Sequence, residues 1–312
     1  MFRPRRDIRA LRYFVETVRT ASFTQAARTL YVTQSTVSKM IRQLEEEIGT
    51  PLLIRDGHTA RPTDTGRVVY ERGLHILGAM RQLNAEVRET VDLRRGELEV
   101  GIPPMINLFF IPVVQEFRLR HPEIRLQLRE GTGQAVERLV TAGELEIGAT
   151  VLPVQAQSPL QTQPFGRYPL ALIGAPEAPW AGRTALPLSA LKSEPLLLPT
   201  DDFALTRRLR QACLDAGFEP NIAAQSAHWD FLAAMAGAGL GTAILPEPLM
   251  QRLKTRGLST ARLARAGVQW EIGHIWLRDR YLSYAGRAWL DTCRDVLGVA
   301  PKRARKPAAD AG

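Results

Sequence analysis

Ser22-Phe23-Thr24-Gln25-Ala26-Ala27-Arg28-Thr29-Leu30-Tyr31-Val32-Thr33-Gln34-Ser35-Thr36-Val37-Ser38-Lys39-Met40-Ile41-Arg42-Gln43-Leu44 reads as two short helices and the turn that joins them. Ser22 is placed to cap the first, Phe23 to Leu30, because a serine hydroxyl accepts from an amide of the opening turn. Thr33 is placed to cap the second in the same way. In that second segment Val37, Met40, Ile41, Leu44 and Ile48 fall at i, i+3, i+4, i+7 and i+11, one apolar stripe for a core. The opposite arc carries Gln34, Ser35, Thr36, Ser38, Lys39 and Arg42 before any acid appears at Glu45. Two helices joined by Tyr31, Val32 and Thr33, the second opening on hydrogen-bond donors, make a helix-turn-helix candidate. A donor-rich helix N-terminus suits a major groove, and its backbone amides suit a phosphate. A three-helix packing unit with a solvated face would need the same stripe, but it gives no reason for a run of donors free of acids.

Upstream, Ile8, Leu11, Phe14, Val15 and Val18 mark one face of a preceding helix. Downstream, Leu52 to Arg55 and His58 to Arg61 flank an Asp56-Gly57 turn and read as a hairpin, a wing carrying Arg55 and Arg61. From Thr63, a further cap, helical periodicity runs through Tyr70, Leu74, Leu77, Met80, Asn84, Val87 and Val91 to about Arg94. Such a rod is ~45 Å long. It is too long and narrowly striped to bury itself on a small domain, so it predicts pairing with a second copy, with Asn84 on the seam helping to set register. From Gly96 the texture alternates: strand Leu98 to Ile102, helix Ile106 to Arg120, strand Ile124 to Arg129, helix Ala135 to Ala142, strand Leu145 to Val151. This order predicts crossovers in a parallel sheet. After a proline-rich passage (Pro153, Pro159, Pro164, Pro169) come strands Leu170 to Gly174 and Leu196 to Leu198 and a helix from Leu205 to Ala216. A strand near Asn221 to Ala224, a helix from Trp229 to Ala238, a strand Ile272 to Leu277 and a helix Ser283 to Leu297 complete the pattern.

The 312 residues suggest two or three domains, and 45% hydrophobic with 23% charged residues excludes a wholly disordered, collagenous or membrane-embedded chain. The net charge of +9 is uneven: residues 1–95 hold 17 basic and 11 acidic side chains, 96–300 hold 20 of each, and 301–312 hold four and one. A basic first third on a neutral body points to a polyanionic partner for that third alone. Cys213 and Cys293 are expected to be buried structural thiols in a reducing compartment. Arg3, Arg5, Arg6, Asp7, Arg9 and Arg12 leave no room for a signal-peptide core, and the apolar run Phe231 to Pro246 is short and glycine-broken, so a cytoplasmic, non-membrane location is expected. His58, His75, His121, His228 and His274 are scattered without metal-ligand spacing, and neither a metal nor a cofactor is expected. Gly237, Gly239 and Gly241 follow a helix and precede a strand, the reverse of a dinucleotide loop, and no GxSxG elbow exists, so a two-lobed enzyme is the weakest alternative. An architectural DNA-binding protein without ligand control is the other, and a neutral body of some 200 residues argues against it.

The stretch quoted above, together with Pro51-Leu52-Leu53-Ile54-Arg55 and Pro62-Thr63-Asp64-Thr65-Gly66, resembles the LysR-type transcriptional regulators. The resemblance extends along the chain through Gly101-Ile102-Pro103-Pro104-Met105, His121-Pro122-Glu123-Ile124, Glu130-Gly131, Gly143-Glu144-Leu145-Glu146-Ile147-Gly148 and Gly239-Leu240-Gly241-Thr242-Ala243-Ile244-Leu245-Pro246. It implies an α/β chain with an N-terminal winged helix-turn-helix (1–62), a dimerising linker helix (63–95) and a two-lobed, periplasmic-binding-protein-like effector domain (96–300). Lobe one would take 97–165 plus 268–299 and lobe two 166–267, with a basic, disordered tail at 301–312. It further implies a non-enzymatic regulator whose partners are double-stranded DNA, a small-molecule effector, a second copy in a homodimer that pairs into a tetramer, and RNA polymerase. Thr33, Gln34, Ser35, Thr36, Ser38, Lys39, Arg42, Arg55 and Arg61 are the expected DNA contacts. The expected effector cleft is made by Pro103, Pro104 and Met105 after the first strand, free amides at Ile106 and Asn107, Thr132 and Gly133 after the second strand, Phe203 and Thr206 from the second lobe, and His228 with Trp229. Pro103 and Pro104 stand where many members carry a hydroxyl residue, and Glu146 stands where aspartate is more usual.

Overall fold

The computed structural model describes residues 8–56, 59–90, 96–253, 257–264 and 267–298. The Gly57-His58 turn, the Val91 to Arg94 end of the long helix and the 301–312 tail lie outside the described residues, as do the side chains of Arg55 and Asn84. The chain forms two compact units, one of Met1–Leu93 with Thr141–Glu144 and the other of the remainder.

In the first unit, helices α1 (Ile8–Thr20), α2 (Phe23–Thr29) and α3 (Gln34–Ile48) pack around Phe14, Val37, Ile41 and Leu44, all essentially inaccessible. Both caps form: Ser22 accepts from the Gln25 amide and Thr33 from the Thr36 amide, each at 3.3 Å. Gly49, in the left-handed region at φ 83°, ends α3. The Glu45 carboxylate then accepts from the amides of Leu52 (2.8 Å) and Leu53 (3.2 Å), tying the end of α3 to the antiparallel hairpin β1 (Leu53–Asp56) and β2 (Thr59–Pro62). Thr63 accepts from the Gly66 amide at 3.0 Å to open α4 (Asp64–Thr90). A Cβ on Gly66 would lie 2.0 Å from the Leu52 carbonyl oxygen, so only glycine allows this first turn to sit against the hairpin.

The stripe expected of α4 divides in two. Leu74 is buried, and Tyr70 and Leu77 are half-buried, all against the core of their own unit. The apolar side chains left exposed are Val68, Ile76, Leu83 and Val87, on a different arc. Leu77 thus turns part of its surface to the core of its own unit and is only half-buried.

The second unit holds two sheets. The first, in the order β4 (Ile124–Glu130), β3 (Gly96–Ile102), β5 (Ile147–Leu152), β13 (Trp270–Leu277), β6 (Leu160–Tyr168), is parallel through β4, β3 and β5 and antiparallel at β13 and β6. Helices α5 (Phe110–Arg120) and α9 (Tyr284–Leu297) cover one face, with Phe110, Phe117 and Trp289 at its centre. Helix α6 (Gly133–Thr141) covers the other through Val136 and Val140, and Gly101 and Gly148 admit it, since a Cβ at either would lie within 2.7 Å of Val136. The second sheet runs β10 (Ile222–Gln225), β9 (Leu196–Leu198), β11 (Thr242–Pro246), β7 (Leu170–Gly174), β12 (Ser259–Ala264), β8 (Ala185–Pro187), flanked by α7 (Ala204–Asp215) and α8 (Trp229–Gly237). The chain passes between sheets after β6 and returns after β12.

The second unit departs from the sequence-based expectation in its sheet directions, in the proline-rich passage and at the start of α5. The sheets are mixed, not parallel throughout, because β7 and β13 each run antiparallel to both of their neighbours. The proline-rich passage contains strand β6, which tolerates Pro164 because it is an edge strand and bulges at Phe165. The helix expected from Ile106 begins at Phe110, after a single 3₁₀ turn at Asn107–Phe109, because Met105 lies at φ 72° and turns the chain before the helix can start.

Candidate DNA interface and effector cleft

The first turn of α3 leaves Gln34, Ser35, Thr36, Lys39 and Arg42 exposed and Ser38 half-exposed, while Val37, Ile41 and Leu44 hold the opposite face in the core. The expected DNA-facing residues of the helix thus share one surface. Thr33 is committed locally: besides capping the helix, its hydroxyl lies 2.9 Å from that of Ser35 and 2.8 Å from that of Thr36. Glu45, the first acid on the helix, is drawn under to the hairpin amides and away from the donor-rich end. Arg61 is exposed on β2, opposite Ile54, and Arg55 pairs with Ala60 in the ladder. The Ala60 amide donates to the Ala21 carbonyl at 2.9 Å, which fixes the wing to the turn between α1 and α2.

Tyr31 lies outside the expected set. It is 95% exposed at φ 56° in the turn before the recognition helix. A left-handed turn position favours glycine or asparagine, so a tyrosine in that turn is the signal that the sequence offers.

In the second unit, the expected cleft residues follow the carboxyl ends of β3, β4, β9 and β10, the edge of an α/β sheet where ligands bind. Several of them face inward. Met105 and Ile106 are 2% and 0% exposed in the core of the first lobe, turned there by the positive φ at Met105. The Asn107 amide is not free: it donates to the Pro103 carbonyl at 3.1 Å, across the turn at Met105. Phe203 is buried among second-lobe apolar groups, and Thr206 is wholly buried with its hydroxyl donating to the Pro199 carbonyl at 2.8 Å. Pro103 is buried as well.

What stays accessible is Pro104, Asn107, Thr132, Gly133, His228 and part of Trp229. The Asn107 side-chain amide donates to the Glu130 carboxylate at 3.3 Å, which brings the loops after β3 and β4 together. Glu130 thereby joins the candidate cleft, although it is absent from the expected set and directly precedes Gly131 and Thr132. Thr132 accepts from the Ala135 amide at 3.3 Å, and a Cβ on Gly133 would stand 2.8 Å from the buried Thr150 hydroxyl. His228 is exposed and starts α8 without capping it. Trp229 packs against two apolar clusters of the second unit.

Glu146 accepts from both the amide (2.5 Å) and the hydroxyl (2.9 Å) of Ser283, the residue that caps α9. Its role is to anchor a helix start, the place where a carboxylate is stabilised by the helix dipole. Cys213 and Cys293 are each 1% exposed, and burial raises both thiols above their ordinary range, which disfavours the reactive thiolate. Among the described residues, no group of three or more His, Cys, Asp or Glu is placed to hold a metal ion, and no helix is long and apolar enough to cross a membrane.

The profile of the bacterial regulatory helix-turn-helix proteins of the lysR family matches residues 8–67, and the profile of the LysR substrate binding domain matches residues 92–298. The uncharacterized HTH-type transcriptional regulator YwbI of Bacillus subtilis is 36% identical over 292 residues, covering 93% of this chain and 97% of that protein. The nitrogen assimilation regulatory protein nac of Klebsiella aerogenes is 28% identical, covering 79% of this chain and 80% of its own. Among solved structures, a full-length OxyR variant from Pseudomonas aeruginosa superposes with a TM-score of 0.71 at 19% identity, over 96% of this chain and 98% of that one. Full-length CbnR complexed with its target DNA gives 0.65 at 20% identity, over 93% and 99%.

Proposed function

Because the chain belongs to the LysR family of bacterial transcriptional regulators, we propose that it reads DNA through the N-terminal turn of α3 and is governed by a small molecule held in its two-lobed domain. It is a transcriptional regulator with a helix-turn-helix DNA-binding domain and an effector-binding domain, and not an enzyme. The observation that carries the DNA reading is the acid-free, exposed donor surface of Gln34, Ser35, Lys39 and Arg42, with Glu45 drawn away from it. Gln34 and Ser35, nearest the helix start, meet base edges. Ser38, Lys39 and Arg42 meet bases or phosphates further along, and Thr33, Thr36, Arg55 and Arg61 position the backbone.

Two copies pair along α4 through Ile76, Leu83 and Val87, which sets two recognition helices for half-sites ~34 Å apart, or multiples of that. Two such dimers join through the effector domains into a tetramer, and the assembly works in the cytoplasm, where its DNA and RNA polymerase are. The effector is a small organic molecule whose polar groups meet Asn107, Glu130, Thr132 and His228, with Pro104 and Trp229 as its apolar walls. Binding shifts the regulator between arrangements only by its differential affinity for them.

Footprinting on DNA flanking the encoding gene, with and without metabolites, tests both halves. Gln34→Ala should change sequence preference by ~1 to 3 kcal/mol at one position of each half-site. Lys39→Ala should weaken binding evenly and lower the salt slope by roughly one unit. Unchanged affinity and preference in both variants would remove α3 from the interface. An effector found by the footprint should bind Thr132→Val and His228→Ala more weakly by calorimetry, and wild-type affinity in both would place it elsewhere.

A further inference from the structure

Beside the two chain crossings, from β6 to β7 and from β12 to β13, lies a cavity of about 1010 Å³. It shares no lining residue with the expected effector cleft. The first lobe contributes Leu152 and Pro153 from the end of β5, Arg167 on β6 and Glu271 on β13. The second contributes one face of α7, with Arg208, Gln211 and Asp215, and Leu188 and Leu263 from beside β8 and on β12. Arg167 and Glu271 are directly opposite one another in the β6–β13 ladder, so a guanidinium and a carboxylate rise side by side on one face. Across the cavity Arg208 donates to the carbonyls of Leu152 and of Pro153, the latter at 3.0 Å, and so fastens α7 of the second lobe to the strand end of the first. Near it the Asp215 carboxylate accepts from Gln211 at 2.8 Å.

Each wall thus carries one positive and one negative side chain, and apolar surface from Leu152, Leu188, Leu263 and Val268 lies between them. A simple anion entering here meets Glu271 and Asp215, and a simple cation meets Arg167 and Arg208. Like charges brought close together repel, so the lining selects against both. It is matched by a molecule that carries both charges and an apolar side chain. We infer that this cavity is a second ligand site, distinct from the cleft, for a small zwitterion with an apolar substituent: a free apolar amino acid or a dipeptide. Its carboxylate pairs with the guanidinium groups and its ammonium with Glu271 or Asp215. Because the lining comes from both lobes and includes the Arg208 fastening, occupancy biases the angle between lobes from the side of the crossings.

The test uses the full-length protein and calorimetry with L-valine, L-leucine, L-isoleucine, L-methionine, L-phenylalanine and L-leucyl-L-leucine. 4-Methylpentanoate, which lacks the ammonium, and 3-methylbutylamine, which lacks the carboxylate, serve as the single-charge analogues of leucine. At least one zwitterion should bind, and the amino acids against the dipeptide identify which source fits. Both single-charge analogues should bind about tenfold more weakly or worse, and Arg167→Gln and Glu271→Gln should each weaken the zwitterion by a similar factor. Thr132→Val and His228→Ala should leave this binding unchanged, which separates it from failure or success of the cleft. The inference is overturned if no zwitterion binds, if an analogue binds as tightly, or if both charge variants keep wild-type affinity.

Discussion

His274 sits wholly inside the first lobe, its ring 4.6 Å from that of Phe165 and 5.7 Å from that of Phe110, and neither ring nitrogen has a hydrogen-bond partner. Burial pushes its pKa from 6.5 down to about 3. The folded chain therefore holds the imidazole neutral, while the unfolded chain protonates it below 6.5. The stability held above that value falls as the pH drops through the window from 6.5 to about 3. At about pH 5 the loss from this group is on the order of 2 kcal/mol. His274→Leu should flatten the decline of the melting midpoint across that window, and an unchanged slope would show that the ring is hydrated or paired. The two thiols lead to a different expectation. With Cys213 and Cys293 buried and their thiolates disfavoured, the double serine variant should keep its DNA affinity and its response to peroxide treatment; loss of such a response would give one of them a sensing role. At this scale the sequence is most readable where the chemistry is local. Ser22 and Thr33 can be assigned as caps because a hydroxyl three residues before an amide needs no tertiary partner. Met105 and Ile106 cannot be assigned to the core, because their direction follows from one positive φ that the sequence does not announce.

Helix α4 shows what periodicity can and cannot divide. A repeat of three and four marks Leu74, Leu77 and Val87 as one stripe, yet the helix twists its apolar residues between two surroundings: its own unit takes Leu74 and Leu77, and solvent is left with Ile76, Leu83 and Val87. Leu83→Lys should dissociate the dimer proposed along α4, as read by ultracentrifugation, and lower DNA affinity while leaving the melting midpoint of the DNA-binding unit nearly unchanged. Leu77→Lys should instead destabilise that unit by ~1 to 3 kcal/mol, because it places a charge against an apolar core. Equal dissociation by both would restore the undivided stripe. Elements with a strong repeat, α1, α3, α7 and α9, are legible to within a residue or two. Strands β6, β8 and β12 are not, since β6 contains Pro164 and β8 is only three residues long. Of the two glycines after α8, Gly241 is a packing device, since a Cβ there would stand 2.4 Å from the Pro195 carbonyl oxygen, whereas Gly239 faces open space and serves the left-handed turn at φ 78°.

For the whole molecule, separate apolar cores in the two units imply separate responses to ligands, since each ligand stabilises only the part that it binds. In calorimetric unfolding, cognate DNA should raise the transition of the N-terminal unit, and an effector should raise that of the C-terminal unit. A single transition moved equally by both would mean that the units unfold as one. The basic excess of residues 1–95 and the neutrality of 96–300 fit this division and are visible in the sequence, whereas the pairing of strands across the two crossings, which depends on contacts distant in the chain, is not. The edge strand β6 has one more effect. Pro164 lacks an amide hydrogen, and the bulge turns Phe165 into the core, so the outer row of backbone donors on that side of the sheet is broken midway. A growing cross-β stack needs an uninterrupted row, so this edge offers a poor template for the addition of a further strand.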